Sequence, residues 1–284
     1  MLFRSYAMGN KPRFLFAVWV IRVFISIKSV MEEGIMSKNR KTAIFFIHGG
    51  PGLSSSCFQG WFEQLEETYD LIFYDQNYDV PKGISIIESL CTELRNKVCD
   101  VAKKYDEIIV FAHSWGVYLL LKSVENMMKQ AYWGKISKFI LSNPSDTNWN
   151  YFCESGDRLF AKMPEEVINR VSICNDGLDL MKMAMPYYVG DCNNVPEIKI
   201  DRYDMVAYNR ISEEMENYDV GELAKLLPNN RTYTIYCEND FENISGSPEL
   251  AKNSVVIEFP KAGHFPFAEC QDEYINVLKE ILDR

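Results

Sequence analysis

From Thr42 onward, short apolar runs alternate with stretches of helical spacing. That alternation predicts a mostly parallel sheet with helices on both faces, an α/β fold. Ala43-Ile44-Phe45-Phe46-Ile47 reads as a buried strand that runs into His48-Gly49-Gly50-Pro51-Gly52, and a helix is expected through Trp61 and Leu65. Leu71-Ile72-Phe73-Tyr74 is the second strand, with Asp75-Gln76 at its carboxyl end. Ile87, Leu90, Leu94, Val98 and Val101 recur at the 3.6 period, so a helix is expected from Ile86 to Lys103. Ile108-Ile109-Val110-Phe111 forms a third strand leading into Ala112-His113-Ser114-Trp115-Gly116. A helix over Val117 to Met128 and a fourth strand at Phe139-Ile140-Leu141 follow.

The pattern then breaks. Residues 144–228 are rich in Met, Tyr and acids, are punctuated by Pro164, Pro186 and Pro196, and contain no clear strand run. They read as a helical insertion. The sheet resumes at Tyr233-Thr234-Ile235-Tyr236, which ends in Cys237-Glu238-Asn239-Asp240. Val255 to Phe259 is the last strand, Gly263-His264 follows it, and Gln271 to Leu282 closes the chain as an amphipathic helix. The expected organisation is a core of residues 36–143 and 229–284 with a helical cap at 144–228.

Composition narrows the function. The chain has 284 residues, 47% hydrophobic and 25% charged, which excludes a largely disordered protein. Its net charge of −10 argues against nucleic acid as a partner. The insertion is the acidic part, so a pocket it lines should favour cations. Eight cysteines include no C-x-x-C pair, so no zinc or thioredoxin-type site is signalled; reduced thiols in a cytoplasmic protein are expected. Residues 1–31 carry Arg4, Lys11, Arg13, Arg22 and Lys28 with no acid. Phe14 to Ile27 is apolar apart from Arg22 and Ser26, too short and interrupted for the roughly 20 residues of a spanning helix. The readings left open for 1–35 are a flanking strand pair, sequence outside the functional domain, and a weak membrane anchor over 14–27. Nothing in the sequence speaks to oligomeric state.

Chemistry is signalled at the ends of the strands. Ser114 lies between a buried strand and a helix, with small Ala112 before it and Gly116 after it. A strained strand-to-helix turn of this kind presents a nucleophilic hydroxyl and needs small neighbours. The chain has three histidines. His113 adjoins the serine and cannot share the site with it, and His48 opens the glycine loop. His264 is therefore the candidate base, and Asp240 the acid that orients it, in the order Ser…Asp…His. Asp146 and Glu238 are the competing acids. The amides of Gly50 and Trp115 are the candidate oxyanion donors.

At these residues the chain resembles the α/β-hydrolase superfamily, in its proline iminopeptidase-like branch. HGGPG at 48–52, YDQ at 74–76, HSWG at 113–116, END at 238–240 and AGH at 262–264 carry the resemblance, over roughly 42–284. It implies a serine hydrolase working through an acyl-enzyme without a cofactor, on a small molecule or short peptide. An aminopeptidase or amidase comes first, a carboxylic ester hydrolase second, and a non-catalytic binding protein is a remote third. Two departures stand out: Asn77-Tyr78 replaces the usual Arg-Gly after Asp75-Gln76, and Arg210 occupies the place of an amine-gripping acid. Glu213 and Glu214 are the acids close enough to substitute. With them, Tyr187 and Tyr188 are candidate substrate-binding residues, and Trp149, Met183 and Met185 candidate walls of an apolar acyl pocket.

Overall fold

The computed structural model describes residues 42–284, so the expectations for 1–35 fall outside the described residues. Six strands form one sheet: β1 (Thr42–Ile47), β2 (Asp70–Tyr74), β3 (Glu107–Ser114), β4 (Ile136–Pro144), β5 (Thr232–Cys237) and β6 (Val255–Phe259). All are parallel, in the order β2-β1-β3-β4-β5-β6. Parallel strands need long crossovers, and the helices that make them cover both faces. Side chains alternate faces at period 2. Ala43, Phe45, Ile47, Ile108, Val110 and Ala112 accordingly join one buried cluster, with α1 (Ile86–Ala102) and α2 (Trp115–Met128) over it. Ile44, Phe46, Ile109 and Phe111 join the other, against Phe58, Phe62 and the carboxyl-terminal helix Gln271–Leu282.

α1 begins where the sequence predicts. The Ser85 side chain accepts from the Glu88 amide, satisfying one of the free donors at the helix start. The helix expected through Trp61 and Leu65 is not continuous. Two short 3-10 turns, Ser55–Phe58 and Glu63–Leu65, take its place. Gly60, with φ of +86°, separates them and turns the chain out of helical geometry.

Between β4 and β5 the chain is helical: α3 (Trp149–Ala161), α4 (Glu165–Ser172), α5 (Gly177–Tyr188) and α6 (Met205–Glu214). Pro164 sits at the N-cap of α4, while Pro186 lies inside α5 two residues before its end. After β5 come α7 (Pro248–Lys252), α8 (Pro266–Glu269) and α9 (Gln271–Leu282). All eight cysteines are free thiols. Among the described residues, no helix is long and apolar enough to cross a membrane.

The sheet order fixes where a site can form. β1 pairs with β2 on one side and β3 on the other, so the chain reverses its direction of winding between β1 and β3. In open α/β sheets, ligands bind beyond the carboxyl ends of strands at such a reversal. The register pairs Ile47 with Ala112, which brings the loop at His48-Gly49 alongside His113-Ser114.

Candidate active site

Ser114 ends β3 and stands at the N-cap of α2 with φ 53° and ψ −127°. A serine in that region is strained and persists only because its surroundings fix it. The close packing is visible at Gly116, where an added Cβ would lie 2.5 Å from the Ile47 carbonyl oxygen and 2.8 Å from that of His48. Gly116→Ala is therefore expected to cost about 3 kcal/mol, since a backbone carbonyl cannot yield as a flexible side chain does. Thermal unfolding checks it; a fall of about 5–10 °C is the expected result.

The Trp115 amide opens α2 and has no acceptor within that helix. Gly50 is at φ +133°, a backbone conformation that side chains disfavour. Gln76 braces the two loops. Its Nε2 donates to the His48 carbonyl at 3.1 Å, and its Oε1 accepts from the Trp115 indole at 2.9 Å. The departure at Asn77-Tyr78 fits this arrangement. Tyr78 is buried and donates its hydroxyl to Gln76 Oε1 at 2.9 Å, and the Arg202 guanidinium lies 5.0 Å over its ring. Arg202 also donates to the Leu53 and Gln76 carbonyls.

His264 follows β6, and its amide donates to the Tyr188 carbonyl at 2.8 Å. Its Nδ1 lies 3.0 Å from Asp240 Oδ2 and 3.1 Å from Oδ1. A carboxylate there accepts the Nδ1 proton and leaves Nε2 as the basic nitrogen. Burial disfavours the imidazolium, but the Asp240 charge and hydrogen bond, with Glu242 and Glu269 behind them, raise the His264 pKa above its ordinary value. Asn143 Nδ2 donates to Asp240 Oδ2 at 2.8 Å and to the Gly263 carbonyl at 3.1 Å, joining the two loops.

The other histidines are buried and held neutral. Burial pushes His48 down to about 4, and its Nδ1 donates to the Gly49 carbonyl. Burial likewise lowers His113, whose Nδ1 donates to the Ser142 carbonyl. Of the competing acids, Asp146 is buried beside β4, takes the Ser155 hydroxyl as its partner and lies 3.9 Å from Arg158. Glu238 is exposed and accepts from the Lys261 amide. Neither carboxylate is hydrogen-bonded to His264.

Ser114 and His264 open onto the same cavity, together with Gly50, Pro51, Tyr188, Tyr203 and Tyr208. It continues between the helices along Phe152, Leu159, Phe160, Leu180 and Phe241, a mainly apolar wall. Of the two candidate tyrosines, Tyr188 lines this cavity, its ring edge-on to His264 at 5.7 Å. Tyr187 lines a separate depression with Lys162 and Asn239. Glu213 and Glu214 lie elsewhere too, in a surface depression with Ile84, Ser85 and Arg210. The reason is local chemistry. Burial would raise the Glu214 pKa, yet the Ser85 hydroxyl and the Ile86 and Ile87 amides donate to its carboxylate and lower it. It thus satisfies the free amides at the start of α1. Arg210 binds the carbonyls of Val80, Pro81 and Ile84. Trp149 packs on Phe152 and Tyr218, Met185 is core, and Met183 is not among the cavity-lining residues.

Several solved structures share this architecture. An esterase from Exiguobacterium antarcticum matches at TM-score 0.64 and 15% identity, over 86% of this chain and 92% of that one. A proline iminopeptidase-related protein from Thermus thermophilus matches at 0.59 and 16%, over 86% and 90%. A proline iminopeptidase from Mycobacterium smegmatis matches at 0.59 and 16%, over 87% and 90%. Residues 74–165 match a family model described as an alpha/beta hydrolase of unknown function. This chain has the α/β-hydrolase fold. No curated protein matches it by sequence.

Within this hydrolase fold, two supporting residues escape a reading by motif. Asn143, at φ 47°, directs its amide at Asp240. Glu269 accepts from the amides of Gly263, Phe265 and Gly190, tying the His264 loop to the end of α5. Neither belongs to a recognisable pattern. The one available signal was an acid five residues after His264, at the end of a short helical turn.

Proposed function

We propose that this protein is a serine hydrolase that acts through an acyl-enzyme. The observation that carries this reading is a strained serine at the strand–helix turn, sharing a cavity with a histidine whose Nδ1 is bonded to a buried aspartate. His264 takes the Ser114 proton as the hydroxyl attacks a carbonyl. The amides of Gly50 and Trp115 receive the oxyanion, and His264 returns the proton to the leaving group. Asp240 stabilises the imidazolium formed in between. Water, activated by the same imidazole, then releases the acyl group. His264 must be neutral to start the cycle, and its pKa is raised. Activity should therefore fall as the pH drops through a value above the ordinary histidine pKa of about 6.5.

The preference expected for N-terminal amides follows from the resemblance, with acids of the insertion as candidates to grip an amine. Glu214 is committed to the α1 terminus and Glu213 lines the surface depression beside it, whereas the wall of the Ser114 cavity is mainly aromatic and aliphatic, with the buried Glu242 as its acid. That wall supports carboxylic esters with an apolar acyl group as the substrate class. A fluorophosphonate probe should label Ser114 and lose most of that labelling in His264→Ala. Turnover of p-nitrophenyl esters should exceed that of proline and alanine β-naphthylamides at least about tenfold, or about 1.4 kcal/mol in transition-state stabilisation. Faster turnover of the naphthylamides would restore the aminopeptidase reading.

A further inference from the structure

Glu242 is a buried acid that the proposed reaction leaves without a role. Its residue is 4% exposed, and no hydrogen bond reaches Oε2 among the described residues. That oxygen lies 3.9 Å from His264 Nδ1, on the ring edge that already faces Asp240. The turn explains the placement. The Glu242 amide donates to Asp240 Oδ1 at 3.2 Å, and the intervening Phe241 ring packs on the imidazole at 4.9 Å. Residues 240 and 242 thereby project to the same side. We propose that Glu242 is a positioning residue for His264: a second carboxyl on the Nδ1 edge whose ionisation sets the pH at which the imidazole becomes available as a base. This rests on the serine-hydrolase reading.

The surroundings decide how it behaves. Asp240, His264 and Asp146 are the charged or titratable groups nearest it, with Tyr188 on α5 and Tyr218 after α6 also facing it. The Ser145 hydroxyl offers partial relief, and Arg158 is directed to Asp146 instead. Three carboxyls that repel one another at buried positions cannot all ionise readily. Asp240 accepts from Asn143, the Glu242 amide and the imidazole, whereas Glu242 Oε2 accepts from none among the described residues. Burial, and behind it the Asp146 and Asp240 charges, push Glu242 up, against the pull of His264. Asp146 is likewise raised by burial, to about 7.

Glu242 and His264 therefore titrate as a pair that shares a proton. When the proton is on the imidazole, Glu242 is an anion 3.9 Å away and stabilises it. Replacing the carboxyl by a neutral amide removes that stabilisation, so the imidazolium loses its proton at lower pH. Activity at mildly acidic pH should rise.

The rate constant for fluorophosphonate inactivation, followed from pH 5 to 9, reads this without knowledge of the natural substrate. In Glu242→Gln the acid limb should move down by about 0.5–1 pH unit, with the plateau rate within about threefold of wild type. A purely structural role would instead lower the plateau and leave the limb in place, and that result overturns the proposal, as do superimposable profiles. Glu242→Asp keeps the charge but withdraws it, and an intermediate limb is expected; if the Gln variant does not fold, an unmoved limb in the Asp variant overturns the proposal. A wild-type protein that stays unlabelled at every pH overturns the hydrolase reading and this inference with it. A labelled wild type with an unmoved variant limb overturns this inference alone.

Discussion

Ser114→Ala should lower ester turnover by about 10^4- to 10^6-fold and abolish fluorophosphonate labelling, leaving whatever the oxyanion donors and binding provide. Its stability should stay within about 1 kcal/mol of wild type, because alanine at φ 53° keeps the strain and loses only a hydroxyl. The companion change separates strain from chemistry. Ser114→Gly is equally inactive, yet glycine accepts that backbone conformation freely, so its melting temperature should rise by about 2–4 °C. Loss of activity with unchanged or higher stability would mean that the fold holds this serine in an unfavourable state for function. Residual turnover within tenfold of wild type in either variant would place the nucleophile elsewhere.

Asp240→Asn should reduce kcat by about 10^3- to 10^4-fold. The carboxylate accepts the Nδ1 proton at 3.0 Å, while Asn143 and the Glu242 amide donate to its two oxygens. An asparagine in that place must turn either its amide oxygen or its NH2 toward donors already present. With NH2 against Nδ1, the imidazole moves its proton to Nε2, the nitrogen that has to receive the serine proton. The imidazolium also loses its nearest compensating charge, so the acid limb should shift to lower pH. Glu242 cannot fully replace that charge from 3.9 Å without a hydrogen bond. Steady-state ester kinetics across pH check both effects. Retention of more than about a tenth of the wild-type kcat would assign the orienting role to another acid.

Much of this arrangement was readable from local pattern. Each element of the proposed triad closes or follows an apolar run of the kind that forms a parallel strand. β3 delivers Ser114, while the loops after β5 and β6 carry Asp240 and His264. The glycine loop after β1 and the small residues around Ser114 were legible for the same reason: tight backbone approach leaves a compositional trace. Gly116 records the Ile47 carbonyl 2.5 Å from where its Cβ would be.

The binding wall was far less legible. Glu213 and Glu214 stand in an acidic stretch that suggested amine recognition, yet the Glu214 carboxylate caps a helix that begins 128 residues earlier in the chain. A sequence window cannot distinguish an acid that meets a ligand from one that meets distant free amides. Tyr187 and Tyr188 are adjacent, but the end of α5 turns them to different cavities. Tyr203 and Tyr208, neither of them a candidate from the sequence, also reach the Ser114 cavity.

The sequence by itself determined the succession of strands and helices along the chain, the loops that follow the strands, and the residue types that stand at their carboxyl ends. Those features arise from periodicity and backbone sterics, which act over a few residues. Only the tertiary structure decided that Asp146 and Glu238 stay away from the imidazole, and that a further buried acid, Glu242, lies 3.9 Å from it with an oxygen short of hydrogen bonds. That choice depends on strand register, burial and the local dielectric, properties of groups brought together from about a hundred residues apart.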